Sequence, residues 1–225
     1  MKKNNKVFNM VVIALFTAIA YISSLALPIK VQFLTLDIKD AFLTIGALYF
    51  GPIAGVVMSF SVSLLELLFG SDTGIYGFIM NFIGSATFAL VASLFYTYRR
   101  NLSNAVTGLF CACVAMTVVM IAANLIVTPY FMAAKGMTAQ AVEKMIVPLL
   151  LPFNLFKGLL NAGIVMLLYK PVSVALKKTT FANDPSAVVK LNKNTVIVSV
   201  FSLLLVVLSL VFIVVKLGGV FNFAA

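Results

Sequence analysis

Long apolar segments constrain this chain more than any other feature of its sequence. Stretches rich in Val, Leu, Ile, Phe and Ala recur along most of its length and are separated by short polar turns. A helix needs about 20 apolar residues to cross a hydrocarbon layer of roughly 30 Å. Hydrophobic residues make up 63% of the chain and charged residues only 10%, unlike the balance in soluble domains. We therefore predict an all-α, polytopic membrane protein.

The apolar segments and their breaks predict seven helices. Pro28 ends the first helix, and Gly51-Pro52 separates the second helix from the third. The second helix is too short to span a bilayer, so it crosses only partly or extends back into the preceding loop. The predicted helices cover residues 7–27, 41–50, 52–69, 78–98, 105–130, 148–169 and 195–217.

Positive residues at the helix ends predict the topology. Ten lysines and arginines fall on one side when the second and third helices are counted as two passes, and the positive-inside rule makes this side cytoplasmic. The net charge of +10 therefore indicates membrane orientation rather than nucleic-acid binding. The ten residues are Lys2, Lys3, Lys6, Arg99, Arg100, Lys170, Lys177, Lys178, Lys190 and Lys193.

The topology predicts a multi-pass protein of the cell membrane with a cytoplasmic N-terminus. We predict a six-helix substrate-binding domain over residues 1–170 and a cytoplasmic linker over 171–194. Residues 195–225 are expected to form an additional transmembrane helix and a tail. The loops 28–40, 70–77 and 132–147 are then expected to face outside.

The sixth predicted helix carries an unusual polar stripe. Asn154, Lys157 and Asn161 follow the spacing i, i+3 and i+7, which places them on one helical face. A charged residue at mid-membrane costs roughly 2.5 kcal/mol or more and is a functional candidate by default. Asn81 and Asn124, from two other helices, lie at a similar predicted depth. We therefore predict a pocket open to the exterior.

The residues around this pocket predict the chemistry of its ligand. Asparagine pairs with planar, amide-like edges, and lysine suits a carbonyl, a hydroxyl or an anionic group. A flat small molecule that is rich in heteroatoms and has an apolar side fits this set. The local apolar candidates are Phe33, Leu34, Tyr76, Phe78 and Phe153.

Four other residues are given structural roles by the sequence. Glu66 is expected to be a surface carboxylate that reaches the membrane interface near the end of the third helix, with a ligand contact as the alternative. Asp40 is a candidate N-cap of the second helix. Cys111 and Cys113 are expected to be packing residues, because no further cysteine or histidine completes a metal site.

The sequence offers little for catalysis. It contains no histidine, no Walker loop and no catalytic carboxylate pair, so we expect a binding or transport protein rather than an enzyme. If the protein transports its ligand, a partner must supply the energy, or the transport is passive.

Several segments together resemble the S component of energy-coupling factor (ECF) vitamin transporters, and most of all its riboflavin-specific members. The Asn-x-x-Lys-Gly element of the sixth helix is the most specific of them, and together the segments span most of residues 7–170. They are Pro152 to Gly158, Asn124 with Pro129-Tyr130, Phe33 to Asp40, Gly51-Pro52, and Gly77 with Asn81-Phe82.

The resemblance implies a six-helix domain that captures riboflavin from outside. It implies docking on a transmembrane coupling subunit driven by two ABC-type ATPases, with riboflavin as the transported ligand and no cofactor. Ala14 and Ala18 match the motif that docks on the coupling subunit, the loop after the first helix matches a lid, and the seventh helix lies outside the family pattern. Asn124, Asn154 and Lys157 match the positions that bind the polar atoms of the flavin in that family. The full set of predicted substrate-binding residues adds Asn81, Phe33, Leu34, Asp40 and Tyr76.

Three alternatives remain open from the sequence. The first is an S component for another vitamin, which the ligand spectrum would distinguish. The second is a membrane-embedded enzyme, which would need a base beside Lys157. The third is a structural membrane protein without a ligand.

Overall fold

Helices dominate the computed structural model of the chain. It describes residues 5–26, 28–69, 73–100, 102–133, 136, 138–180 and 193–221. Within these residues the helices are α1 (Asn5–Ala26), α2 (Lys39–Phe50), α3 (Pro52–Phe69), α4 (Gly74–Tyr98), α5 (Leu102–Phe131), α6 (Ala139–Lys144), α7 (Leu151–Thr180) and α8 (Lys193–Leu217). Three short strands are β1 (Ile29–Val31), β2 (Leu34–Leu36) and β3 (Val220–Phe221). A π-helical turn, Ile146–Leu150, leads into α7.

Six helical segments of the described residues are long and apolar enough to cross a membrane. They comprise α1, α3, α4, α5, α8 and the π-helical turn continued by α7. Helix α2 has only 12 residues and is not among them. This agrees with the prediction that the second helix is too short to span a bilayer. The chain is therefore a multi-pass helical membrane protein, which confirms the predicted fold class.

Several element boundaries differ from the prediction. Helix α4 begins at Gly74, so the predicted loop 70–77 is partly helical. The predicted loop 132–147 contains α6. Helix α7 continues past Pro171 to Thr180, because a proline removes only one N–H bond and the good helix formers Ala, Leu and Lys occupy residues 175–178.

Parts of several predicted regions lie outside the described residues. They include residues 181–192 of the predicted linker, residues 222–225 of the predicted tail, and Lys2 and Lys3 of the basic N-terminus. The membrane topology is therefore inferred from the helices of the described residues alone.

Contacts between helix ends show how the bundle is arranged. Tyr49 near the end of α2 stacks on Tyr169 of α7, with ring centroids 5.8 Å apart, and the hydroxyls of Tyr96 and Tyr169 are hydrogen bonded. We call this the tyrosine end. The start of α2 lies at the opposite end, where Lys39 contacts Glu66 near the end of α3. Helices α2 and α3 therefore run antiparallel.

A small antiparallel sheet contains the β1–β2 hairpin that connects α1 to α2, together with β3. Strands β1 and β2 form a hairpin whose turn includes Gln32 at φ 53°, and β3 pairs with the other edge of β1. Ile29, Val31, Leu34 and Leu36 are buried and alternate with exposed residues along both strands, as a half-buried hairpin requires. The predicted loop folded onto the membrane domain is this hairpin.

Helix α8 packs along α7. The rings of Phe156 and Phe212 stack with centroids 3.9 Å apart. A Cβ on Gly163 would lie only 3.0 Å from the Ser202 carbonyl oxygen, so the two backbones approach closely there. Because Phe212 lies opposite Phe156 and Ser202 opposite Gly163, the helices run antiparallel. The end of α8 therefore reaches the hairpin, where β3 joins the sheet.

Candidate ligand-binding cavity

A cavity of about 1090 Å³ lies at the end of the bundle opposite the tyrosine end. Its wall comes from the β1–β2 hairpin, the start of α2, and helices α3, α4, α5 and α7. A cavity of this size holds a small organic ligand. All eight predicted substrate-binding residues line it: Phe33, Leu34, Asp40, Tyr76, Asn81, Asn124, Asn154 and Lys157. Their proximity follows from the fold, while their role in binding stays a prediction.

Lys157 reaches the hairpin side of the cavity from α7. Its Nζ lies 3.1 Å from Oδ2 of Asp37 and 3.8 Å from Oδ2 of Asp40, and it also donates to the backbone carbonyl of Thr35 at 3.4 Å. The side chain keeps 13% of its surface exposed. Lys157 is therefore ion-paired and can still meet a ligand in the cavity.

Asp37 lies in the segment between β2 and α2, where two lysines determine its charge. Burial alone would raise the pKa of Asp37, but the ammonium groups of Lys157 and Lys39 outweigh it and hold the pKa below its usual value. Its Oδ1 has no hydrogen-bond partner among the described residues. Asp37 Oδ1 is therefore a buried acceptor that the described residues leave unsatisfied.

Glu66 is part of a partly buried ion pair, and the prediction that it is a surface carboxylate is wrong. Both of its carboxylate oxygens accept hydrogen bonds from Lys39 Nζ, at 2.7 and 2.8 Å, and Oε2 also accepts one from Asn81 Nδ2 at 2.8 Å. Glu66 and Lys39 both line the cavity. A fixed cation beside the end of α3 keeps the carboxylate inside the bundle instead of at the interface.

Asp40 does not cap α2, contrary to the prediction. Ile38 is the N-cap residue, and Asp40 lies in the first turn. Its side chain faces inward, where Oδ1 accepts a hydrogen bond from the Ser85 hydroxyl of α4. The carboxylate therefore joins α2 to α4 at the cavity wall.

Asn154 and Asn124 are oriented by bonds within their own helices. The Nδ2 of Asn154 donates to the Leu150 carbonyl at 2.8 Å, and the Nδ2 of Asn124 donates to the Met120 carbonyl at 2.7 Å. The Oδ1 of Asn124 accepts from the Thr128 hydroxyl. Each amide nitrogen carries two hydrogens, so each asparagine retains a donor for a ligand.

A π-helical turn directly precedes Asn154 in the chain. The Leu151 N–H donates to the Ile146 carbonyl, five residues back, and Pro152 has no N–H to continue the regular pattern. The turn ends at Leu150, whose carbonyl accepts the bond from the Asn154 side chain. Local backbone geometry thus fixes this amide at the cavity wall.

Asn161, the third residue of the predicted stripe, is a structural residue. It is fully buried and does not line the cavity. Its Oδ1 accepts from the Ala41 N–H at 2.9 Å, and its Nδ2 donates to the carbonyls of Asp37 and Lys157. Asn161 therefore joins the start of α2 to α7 and positions the two charged residues at the cavity.

Aromatic residues form part of the cavity wall. Tyr76 lies 5.9 Å from the ring of Phe131, measured between centroids, and both line the cavity together with Phe153. Phe78 does not line it, contrary to the prediction. Its ring stacks near Phe82 with a centroid distance of 6.3 Å, because the start of α4 turns this residue toward α3.

Sequence reasoning missed three of the charged wall residues as site components. It assigned Asp37 and Lys39 to a loop and Glu66 to the interface. A detectable signal was present, because opposite charges beside apolar segments need partners to remain in a bundle. The pair Lys39 and Glu66 meets this requirement across 27 positions of sequence.

The two alanines predicted to dock a partner lie on the outer face of α1. Ala14 and Ala18 are exposed, whereas Val12, Phe16 and Ala20 of the same helix are buried. The small-residue face is thus available for contact with another helix.

The fold and the cavity together define a membrane-embedded substrate-binding protein. The sequence profile of the family described as "ECF transporter, substrate-specific component" matches residues 8–169. The chain belongs to this family. It is therefore a binding and transport subunit rather than an enzyme.

Individual relatives agree with this assignment. The protein named riboflavin transporter RibU from Staphylococcus aureus (strain TCH60) is 28% identical over 175 residues, which cover 75% of this chain and 92% of the relative. Riboflavin transporter FmnP from Bacillus subtilis (strain 168) is 27% identical over 73% of this chain and 91% of its own.

The fold is also similar to a solved structure described as the S component of a bacterial ECF transporter. The TM-score is 0.64 at 29% sequence identity, and the match covers 78% of this chain and 99% of that one. The solved chain is thus matched almost completely, while about a fifth of this chain lies outside the match.

Proposed function

We propose that this chain captures riboflavin from outside the cell as the substrate-binding subunit of an ECF-type importer. The observation that carries the proposal is the composition of the cavity wall. Asn81, Asn154 and Lys157 meet there with the aromatic rings of Tyr76 and Phe153. The relatives that are named riboflavin transporters support the choice of ligand.

The wall offers complementary groups for each part of riboflavin. The flavin ring system is flat and carries carbonyl and nitrogen acceptors along one edge, which suit asparagine amides and the Lys157 ammonium. Its apolar side suits aromatic neighbours. The ribityl hydroxyls donate hydrogen bonds, and the carboxylates of Asp37 and Glu66 are acceptors on the same wall. A neutral ligand rich in hydroxyl and carbonyl groups therefore matches the donors and acceptors present.

We propose that the protein lies in the plasma membrane and that its tyrosine end is on the cytoplasmic side. Lys6 in the first turn of α1, Arg99 at the end of α4 and Lys170 beside Tyr169 of α7 lie at this end, and the positive-inside rule then directs the cavity outward. Labelling a cysteine at Gln32 with a reagent that cannot cross membranes tests this. Labelling in intact cells supports the orientation, and labelling only after lysis contradicts it.

Binding of riboflavin is tested by the absorption spectrum of the protein purified in detergent from riboflavin-supplemented cells. We expect a yellow protein with stoichiometric flavin that is released on denaturation. A colourless protein that added riboflavin does not stabilise would contradict the proposal. Stabilisation by another vitamin would then favour an S component with a different substrate, and stabilisation by none would favour a structural membrane protein.

Transport requires partners, and we propose a transmembrane coupling subunit with two ABC-type ATPases. The exposed small-residue face of α1 is the proposed docking surface. Ala18→Leu is expected to reduce co-purification of the coupling subunit by about tenfold, because a larger side chain holds the helices apart. Riboflavin binding is expected to be unchanged, since Ala18 does not line the cavity.

The matched control for Ala18→Leu is Ala122→Leu on the exposed face of α5. This substitution adds the same three carbons to a different outer helix. Equal co-purification of both variants and the parent chain would remove α1 as the docking surface.

A further inference from the structure

The C-terminal segment, α8 with β3, is an addition to the region that defines the family. The family profile ends at residue 169, and α8 begins at Lys193. The segment is nevertheless well integrated. Phe212 stacks on Phe156, and a Cβ on Gly163 would come within 2.9 Å of Val206 Cγ2. Helix α8 is therefore fixed along the same helix that carries Asn154 and Lys157.

Beyond α8 the chain turns back to pair with the hairpin. Gly218, at φ 67°, makes the turn, and Val220 pairs with Lys30 of β1. Gly219 fits tightly, because an added Cβ would lie 2.9 Å from Ile29 Cγ2 and 3.2 Å from the Ile213 carbonyl oxygen. β1 therefore becomes the middle strand of a three-stranded sheet.

The end of α8 also packs against the buried face of the hairpin. Ile213 is fully buried and belongs to the same apolar cluster as the inward residues of β1 and β2. A two-stranded hairpin alone is at best marginally stable in water, and it gains stability from a third strand or from packing on a helix. Here β3 supplies the third strand, and α8 supplies the helix on which the hairpin packs.

The hairpin forms one side of the cavity. Gln32, Phe33, Leu34 and Thr35 all line it. A ligand that leaves through this side must displace the hairpin. Displacement breaks the β1–β3 pairing and uncovers Ile213, unless α8 moves with the hairpin and gives up its packing on α7.

We propose that α8 and β3 form a clamp that holds the β1–β2 hairpin closed over the cavity and limits the rate of ligand release. A protein with this clamp retains its ligand longer than one that lacks it. The inference rests on the proposed function only for the choice of riboflavin as the probe. The clamp itself is a contact within the chain and is measurable without a ligand.

The test compares Gly219→Val with Val220→Ala in the full chain. Gly219→Val forces β3 away from Ile29 and the Ile213 backbone, whereas the Val220 side chain is 66% exposed and its loss leaves the backbone pairing intact. We expect riboflavin to dissociate about tenfold faster from Gly219→Val, since interface changes act mainly on dissociation rates. Val220→Ala should match the parent chain. Equal rates in all three proteins would overturn the clamp.

A disulfide between β1 and β3 strengthens the contact that Gly219→Val weakens, so it tests the same contact by the opposite change. Lys30 and Val220 are paired, and paired residues in antiparallel strands have Cα atoms about 4.5 to 5.5 Å apart, which suits a disulfide. The double variant Lys30→Cys with Val220→Cys is made in a chain whose Cys111 and Cys113 have been replaced by alanine. Oxidation should slow riboflavin release at least about tenfold relative to the same protein reduced. Equal rates before and after oxidation would overturn the clamp.

Amide hydrogen exchange separates failure of the clamp from failure of the proposed function. Exchange in β1 should be faster in Gly219→Val than in Val220→Ala, and this comparison needs no riboflavin. If no variant binds riboflavin but exchange differs as expected, the clamp stands and the ligand is wrong. If riboflavin binds and exchange is equal in both variants, the ligand stands and the clamp is wrong.

Discussion

Replacement of Lys39 by methionine is expected to lower the free energy of unfolding by about 3 to 5 kcal/mol, because it leaves buried carboxylates without their cation. Lys39 is 1% exposed and is among the largest fully buried side chains. Its Nζ bonds to both oxygens of Glu66 and lies 3.6 Å from Oδ2 of Asp37. Methionine has a similar volume, so the loss of stability reflects the missing charge and not a new cavity. Chemical unfolding in detergent measures it.

A second substitution separates the ion pair from other effects of Lys39→Met. Adding Glu66→Gln removes the uncompensated charge, so the double variant should regain a substantial part of the lost stability. The control is Lys216→Met, which changes an exposed lysine of α8. If Lys39→Met unfolds no more easily than Lys216→Met, the ion pair does not stabilise the bundle.

The helices and the polar face of α7 were predictable because they depend on local periodicity. Apolar runs of membrane length specify helices with little reference to the rest of the chain. A spacing of three residues places Asn154 and Lys157 on one face whatever packs against it. The same face lines one cavity with Asn81 and Asn124, while the role of all four residues in binding stays a prediction.

The partners of the polar residues were not predictable, because they come from distant parts of the chain. Asn161 continues the stripe of α7, yet it bonds to Ala41 and Asp37, which lie 120 and 124 positions away. The periodicity cannot distinguish a residue that bonds to the backbone from one that faces a cavity. Glu66 was misplaced for the same reason, because its position inside the bundle depends on the antiparallel packing that brings Lys39 to it.

Strand β3 shows a different limit of sequence reasoning. Two residues after an apolar helix carry no periodic signal, and their pairing with β1 depends on where α8 ends. The direction of α8 in turn depends on close packing at Gly163 and on the Phe156–Phe212 contact. Recognising α8 as a membrane helix was therefore possible, whereas its contact with the hairpin required the tertiary structure.

The charges of the cavity wall have two functions that must be distinguished in any test of binding. The carboxylates of Asp37, Asp40 and Glu66 form ion pairs within the wall with the ammonium groups of Lys39 and Lys157. Lys39 is almost wholly enclosed, while Lys157 retains some exposure to the cavity. Lys39 therefore serves mainly the fold, and Lys157 is the cation placed to serve both the fold and the ligand.

Lys157→Ala is expected to weaken riboflavin binding by about 1 to 3 kcal/mol, which corresponds to roughly 5- to 150-fold in dissociation constant. The loss has two physical sources. A ligand acceptor loses its charged donor, and the carboxylate of Asp37 loses the nearer of its two cations. Asn154→Ala removes only a neutral donor from the wall, so its effect should fall toward the lower end of the same range. Titration of the purified protein with riboflavin measures both.

A double substitution separates the two sources of the Lys157 effect. Lys157→Ala with Asp37→Asn removes the nearer of the two carboxylates that Lys157 neutralises and does not restore the donor. If Lys157 acts on the ligand directly, the double variant stays about as weak as Lys157→Ala. Recovery to the affinity of the parent chain would show instead that Lys157 only neutralises Asp37. Lys144→Ala, an exposed lysine outside the cavity wall, serves as the control and should bind riboflavin normally. Parental affinity in both Lys157→Ala and Asn154→Ala would remove this cavity face as the riboflavin site.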